Sequence, residues 1–352
     1  MFQQIISKLL FASQSFPWRL FVFYGSWSST FFSLMQYTVL YILGQLAALT
    51  FADQLQKDPL TSNLDYLHDD LVAHLPLPTG TFFKWPAGWI PGDCQEIVYS
   101  QNLLEIDLEV YSVHYDDCDA PWILCRHKDS PNPVGYMIDR FGRVPVRARS
   151  YVRHVVDLPD QKDPTNTYAA NSNDNILLVN KADTILAVLI HETGHSLDHR
   201  AYQKHGLLSE SKRWSDAYAA DSKVPDEYSQ TSFAEDVAQN TVVAAYDLNV
   251  PGGFKKVQKD WKTIHSQYSL IKTLANEAGQ AFTEPGNILM PGGKCGHRLT
   301  NSEPVRTVKP IHRRGAIPAR GQDKAPDVSL PDHIAIIKPL NLHPGEMCNH
   351  PW

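Results

Sequence analysis

The sequence predicts a mixed α+β fold: a mostly N-terminal, mostly antiparallel sheet followed by a run of helices. Three observations carry this. Strand-like segments gather before residue 181, with an alternating stretch at Leu103–His114 (LLEIDLEVYSVH) and an apolar run at Asn175–Asn180 (NILLVN). Helical periodicity then dominates from Asp183 to Phe282. Ten of the 24 prolines fall within 285–352, where neither pattern survives.

Residues 53–100 mix short apolar runs with Pro and Gly punctuation and predict little. After the Leu103–His114 strand, Trp122–Arg126 and Val144–Val156 read as further strands and Val134–Phe141 as one short helix. A polar loop, Asp160–Asn173, leads into the NILLVN strand. Four helical patterns follow, at Asp183–Tyr202, Ser209–Asp221, Thr231–Leu248 and Gly253–Phe282. Residues 53–284 thus form the expected main domain. Residues 285–352, with Lys294, Arg298, Arg306, Lys309, Arg313, Arg314 and Arg320, read as an extended Pro-rich arm on its surface.

The first 52 residues read as targeting rather than fold. Between Arg19 and Asp53 there is no charged residue. From Met35 the chain runs MQYTVLYILGQLAALTFA, and Thr50 and Ala52 are small enough for cleavage before Asp53. A secretory signal competes with an uncleaved membrane anchor; Gly44 and Gln45 interrupt the apolar run and weaken it as a span. Secretion is the expectation, with no stable membrane association once the signal is removed. Five cysteines, none in a C-x-x-C pair, fit two disulfides and one free thiol in an oxidising compartment. Cys118–Cys125 and Cys295–Cys348 are the expected pairs, each bracketing a Pro-containing loop.

Composition narrows the function classes. At 43% hydrophobic and 20% charged, the chain is folded rather than disordered. A net charge of −6 leaves no dense basic face, so nucleic acid is excluded as a partner. A chain of 352 residues buries a core without needing a metal for stability, so a metal would serve chemistry.

The chemistry lies at residues 191–195, His-Glu-Thr-Gly-His. Histidines four apart share one helix face, about 6 Å apart along the axis, and can hold one Zn2+. Glu192 is turned about 100° away, outside the ligand set, where it can take a proton from a water activated by the ion. A catalytic zinc needs a third protein ligand and an open fourth position. His199, eight residues past His191, rises about 12 Å, too far on a continuous helix. The expected third ligand is Glu235, in Ser232-Phe-Ala-Glu-Asp-Val-Ala-Gln239, with Asp236 as runner-up. Small residues around Glu235, and Gly194 opposite, would let the two helices approach closely. Asp198 could accept from the far nitrogen of His195, or simply pair with Arg200.

His-Glu-x-x-His followed by a Glu some forty residues later resembles the gluzincin branch of zinc metallopeptidases. Tyr228, seven residues before Glu235 in PDEYSQTSFAEDVAQ, looks like the tyrosine of the anthrax lethal factor group. That resemblance, over about 175–247, implies a zincin-like fold, peptide or protein substrates, and Tyr228 beside the metal as an oxyanion donor. The sequence departs at Gln239, where many gluzincins carry Asp. A wider likeness, through DCDAPWILCRH (117–127), HETGHSLD and the closing CNHPW, is to the conidiation-specific protein thirteen group of filamentous fungi. It implies a secreted fungal protein and names no reaction. The expected function is therefore secreted zinc-dependent peptide hydrolysis. Its rival is a structural or surface-binding protein with a vestigial zinc site.

Overall fold

The structure, a computed structural model, describes residues 55–180, 185–296, 298–307 and 335–338. The leader 1–52 with its cleavage point, Cys348 and most of the Pro-rich arm lie outside the described residues.

The strands are β1 (Pro59–Thr61), β2 (Gly80–Lys84), β3 (Trp89–Pro91), β4 (Leu108–Tyr115), β5 (Trp122–His127), β6 (His154–Leu158), β7 (Tyr168–Ser172), β8 (Asn175–Val179), β9 (Val224–Asp226), β10 (Pro304–Arg306) and β11 (Ala335–Ile336). Seven of them form one sheet in the order β11-β2-β4-β5-β6-β8-β7. Only the β5–β6 and β6–β8 pairings are parallel, so the sheet is mostly antiparallel. The helices are α1 (His68–His74), α2 (Gly92–Ser100), α3 (Val134–Arg143), α4 (Val146–Arg149), α5 (Ile185–Arg200), α6 (Lys212–Ala220), α7 (Phe233–Asn249), α8 (Phe254–Val257) and α9 (His265–Gly279). None of the described helices is long and apolar enough to cross a membrane.

The sheet separates two apolar clusters by the period-2 alternation of its strands. Trp122 and Leu124 of β5, with Val113, Val155, Ile176 and Leu178, face the larger cluster, built with α3, α5, α7 and α9. Ile123 and Cys125, with Val110, Val156 and Leu177, face a smaller one under α2. This alternation decides the disulfides, which are Cys94–Cys125 and Cys118–Cys295. The expected Cys118–Cys125 pair fails because Cys125 faces α2 while Cys118 lies in the cluster on the other face. Cys295 is bonded to Cys118, so the expected Cys295–Cys348 pair fails as well.

Three further expectations are corrected. Val144–Val156 is not one strand: Pro145 fixes an extended entry to α4, and only His154–Leu158 pairs. Leu103–His114 begins later than its pattern implies, with a 3-10 turn at Glu105–Asp107 before β4. Gly253–Phe282 breaks into α8, a 3-10 turn at Trp261–Ile264, and α9. The described stretch of the arm is irregular rather than extended, with a turn at Ile288–Leu289 and short strands at β10 and β11, and it is stitched to the body. Ile288 and Leu289 are buried in the main cluster, Cys295 is cross-linked, and β10 pairs with β3.

Candidate metal centre

Two packed helices build the site. On α5, Leu186, Leu189, Ile190 and Leu197 are fully or almost fully buried and set the helix against the sheet and α7. Ser232 caps α7, its hydroxyl accepting from the backbone N–H of Glu235 at 3.2 Å, which fixes Glu235 in the first turn. The helices touch at Gly194, where a Cβ would stand 3.0 Å from Ala238 Cα and 3.2 Å from the Thr241 side chain. Close approach therefore requires glycine there, and it brings the first turn of α7 over the histidines.

His191, His195 and Glu235 converge. Glu235 Oε2 lies 3.1 Å from His191 Nε2 and 3.2 Å from His195 Nε2, and the two nitrogens are 3.2 Å apart. Donor atoms on a tetrahedral zinc at about 2.0–2.1 Å stand about 3.3–3.4 Å from one another. The observed triangle is within a few tenths of an ångström of that edge. Glu235 Oε2 is buried and makes no directed hydrogen bond, despite two imidazole nitrogens beside it. The three atoms surround a common point where a cation would satisfy all of them. Among the described residues this is the one cluster of His, Cys, Asp and Glu with such spacing. The residues fit zinc.

The electrostatics agree. Burial disfavours the Glu235 carboxylate, but His191 and His195 outweigh it and hold the group down at about 2. Burial likewise opposes charge on His191, yet Glu235 and Glu192 raise it above the ordinary imidazole value. Glu192 is 3% exposed, and its Oε2 has no hydrogen-bond partner. Burial raises its pKa despite the two histidines. Burying a carboxylate oxygen without a hydrogen-bond partner costs free energy.

A cavity of about 340 Å3 opens on this group. His191, Glu192 and Tyr228 line it, with Tyr168 and Ala169 of β7 and apolar Ala187, Val188 and Val242. Asn171 of β7 donates to the Glu192 carbonyl at 2.7 Å and to Ser196 Oγ at 2.9 Å, fastening the edge strand to α5. Tyr228 starts a 3-10 turn after β9, with its ring centroid 5.7 Å from that of His191 and half its surface exposed. Burial, with Glu235 and Glu192 adding, pushes its phenol up to about 12, so it stays protonated and able to donate.

The other candidates lie elsewhere. His199 Nε2 is 3.2 Å from Asp174 on the far side of α5. Asp236 is buried, accepts from Asn240, and points away from the histidines. Asp198 does not reach His195 or Arg200. Its carboxylate accepts from the backbone N–H and hydroxyl of Ser209, and Arg200 pairs with Asp174 instead. Sequence reasoning missed Gln239 and Asp226. Gln239 Oε1 lies 3.2 Å from His191 Nδ1, and its Nε2 donates to Asp226 at 2.6 Å. The available signal was spacing: Gln239 is four residues past Glu235, on the same face of α7.

The family described as conidiation-specific protein Con-13 matches residues 65–274, a span holding six of the seven strands of the sheet, both site helices and all three donors. Conidiation-specific protein 13 of Neurospora crassa is 34% identical over 276 residues, covering 75% of this chain and 77% of that protein. The chain belongs to the Con-13 family. The Con-13 description names a stage of fungal development and no reaction, so chemistry must be argued from the side chains.

Proposed function

We propose that this Con-13 protein is a secreted zinc-dependent peptidase of the zincin type, closest in plan to the gluzincins. The supporting observation is the convergence of three donors, His191, His195 and Glu235, beside a cavity whose wall carries His191 and a buried carboxylate, Glu192, that has no hydrogen-bond partner at Oε2.

Bound zinc would supply Lewis acidity, lowering the pKa of water towards about 7 and polarising a carbonyl. His191, His195 and Glu235 would hold the ion. Glu192, on the cavity wall with its proton affinity raised, takes the proton of the attacking water and passes it to the departing amine. Tyr228 donates its phenolic hydrogen bond to the developing oxyanion. β7 is an edge of the sheet and contributes Tyr168 and Ala169 to the cavity, so an extended peptide can add alongside it. That favours a peptide or protein substrate over a small molecule. Two disulfides accord with export to an oxidising compartment, as does the uncharged stretch from Leu20 to Ala52.

Zinc content and casein hydrolysis of the purified secreted chain test this, with and without a chelator. The expected result is one zinc per chain and cleavage that the chelator stops and zinc restores. A protein with no zinc, or with zinc and no cleavage of casein or a broad peptide library, would overturn it in favour of a binding role.

A further inference from the structure

We propose that Asp226 is a polarity lock for the metal centre: through Gln239 it dictates which nitrogen of His191 carries the proton, leaving Nε2 bare for a cation. The inference rests on the metal reading above.

Asp226, 1% exposed, receives hydrogen bonds at both carboxylate oxygens. Oδ1 accepts from the backbone N–H of Ser229 and from its hydroxyl, each at 2.9 Å. Oδ2 accepts from Gln239 Nε2 at 2.6 Å. An ionised carboxylate only accepts, so Gln239 must turn its amide nitrogen towards Asp226 and its carbonyl towards His191. His191 Nδ1, 3.2 Å from Gln239 Oε1, must then be the protonated nitrogen. The neutral ring presents a lone pair at Nε2, the atom facing Glu235 and His195. The direction of every bond in this chain is set at its far end, because a backbone N–H cannot be reversed. The same carboxylate holds the turn that begins with Tyr228, so one buried acid orients a ligand and a cavity wall together.

An isosteric change separates this role from mere packing. In Asp226→Asn, Ser229 N–H still requires an acceptor, so the new amide nitrogen faces Gln239. Gln239 then turns its carbonyl to that amide and its own amide nitrogen to His191, and the His191 proton moves to Nε2. Size and hydrogen-bond count are unchanged, but the ligand nitrogen is blocked. Adding Gln239→Glu restores the direction. The new carboxylate accepts from the introduced amide on one side and from His191 Nδ1 on the other, and the negative charge has moved one residue along.

The experiment measures zinc affinity by competition with a chromophoric chelator, and the His191 tautomer from imidazole 15N shifts of zinc-stripped protein at pH 9. Asp226→Asn should weaken zinc by about 10–100-fold, and Asp226→Asn combined with Gln239→Glu should return it to within about threefold of the parent. The parent should carry the proton on Nδ1 and Asp226→Asn on Nε2. Equal zinc affinity in parent and Asp226→Asn, a double variant no better than the single, or a parent with Nε2 protonated would overturn the lock. If Asp226→Asn does not fold, the parent tautomer and the double variant decide. A parent with the expected tautomer but no zinc affinity would sink the metal reading and leave the lock standing.

Discussion

Two buried polar regions of this protein differ in what their side chains converge on. Under the C-terminal segment, Arg149 is fully buried, yet its guanidinium donates to the carbonyls of Gly142 and Val144 and to Asp117 at 2.5 Å. It also lies over the rings of Tyr115 and Trp122, at 4.3 and 4.5 Å. Its neighbour Arg147 donates to Glu284 O and Gly292 O, fastening the segment that Cys118–Cys295 also holds. Both terminal nitrogens of Arg149 meet acceptors there, while its Nε is buried without a hydrogen-bond partner. At the α5–α7 joint, by contrast, two imidazoles and a carboxylate converge within 3.1–3.2 Å and stabilise one another's charge, with the unpaired Oε2 of Glu192 nearby. The first region ties a segment to the body; the second gathers three donor atoms around the point where the proposed cation would sit.

The comparison can be broken by substitutions that should divide cleanly. His191→Ala or His195→Ala leaves two ligands and should abolish stoichiometric zinc, read by elemental analysis, while the protein still folds. Arg149→Met should do the reverse, lowering stability by about 3 kcal/mol in denaturant titration while zinc is retained. Gly194→Ala couples the two properties. Alanine gains up to about 1 kcal/mol of helix propensity, but its Cβ meets the α7 backbone at 3.0 Å, and overpacking of that kind costs about 1–3 kcal/mol. The clash should win, and zinc affinity should fall with stability because Glu235 and Gln239 ride on α7.

A separate effect is a pH dependence away from the site. Asp157 on β6 is buried, and burial lifts its carboxyl to about 7 against the bonds from Ser130 and Asn132. The folded state holds this proton more tightly than the unfolded chain. The group's contribution is therefore most favourable below its ordinary value near 3.8 and is lost as pH rises through about 7. Asp157→Asn should match the parent at pH 4 and exceed it in melting temperature at pH 8.

Much of this plan was legible in the residues. α3 and α5 to α7 follow 3.6-residue periodicity, and the small residues flanking Glu235 pointed to it over Asp236, which is turned about 100° away. What sequence could not supply depended on which face a residue takes after folding. Cys125 pairs with Cys94 because strand alternation turns it to α2. Asp198 is engaged by Ser209 because a loop returns to it after α5. Gln239 looked like a loss of the usual acid. Its role appears only once β9 places Asp226 behind it.

The most direct test of the account is peptide-library hydrolysis by zinc-loaded parent and zinc-loaded Glu192→Gln, compared at equal zinc content. Glutamine fills the same space without the base, so zinc content should not change. Melting temperature should hold or rise, since an unpaired buried carboxylate is gone. The account predicts cleavage by the parent and none by the variant. A parent that leaves the library intact, or a Glu192→Gln protein that cleaves as well as the parent, would contradict it.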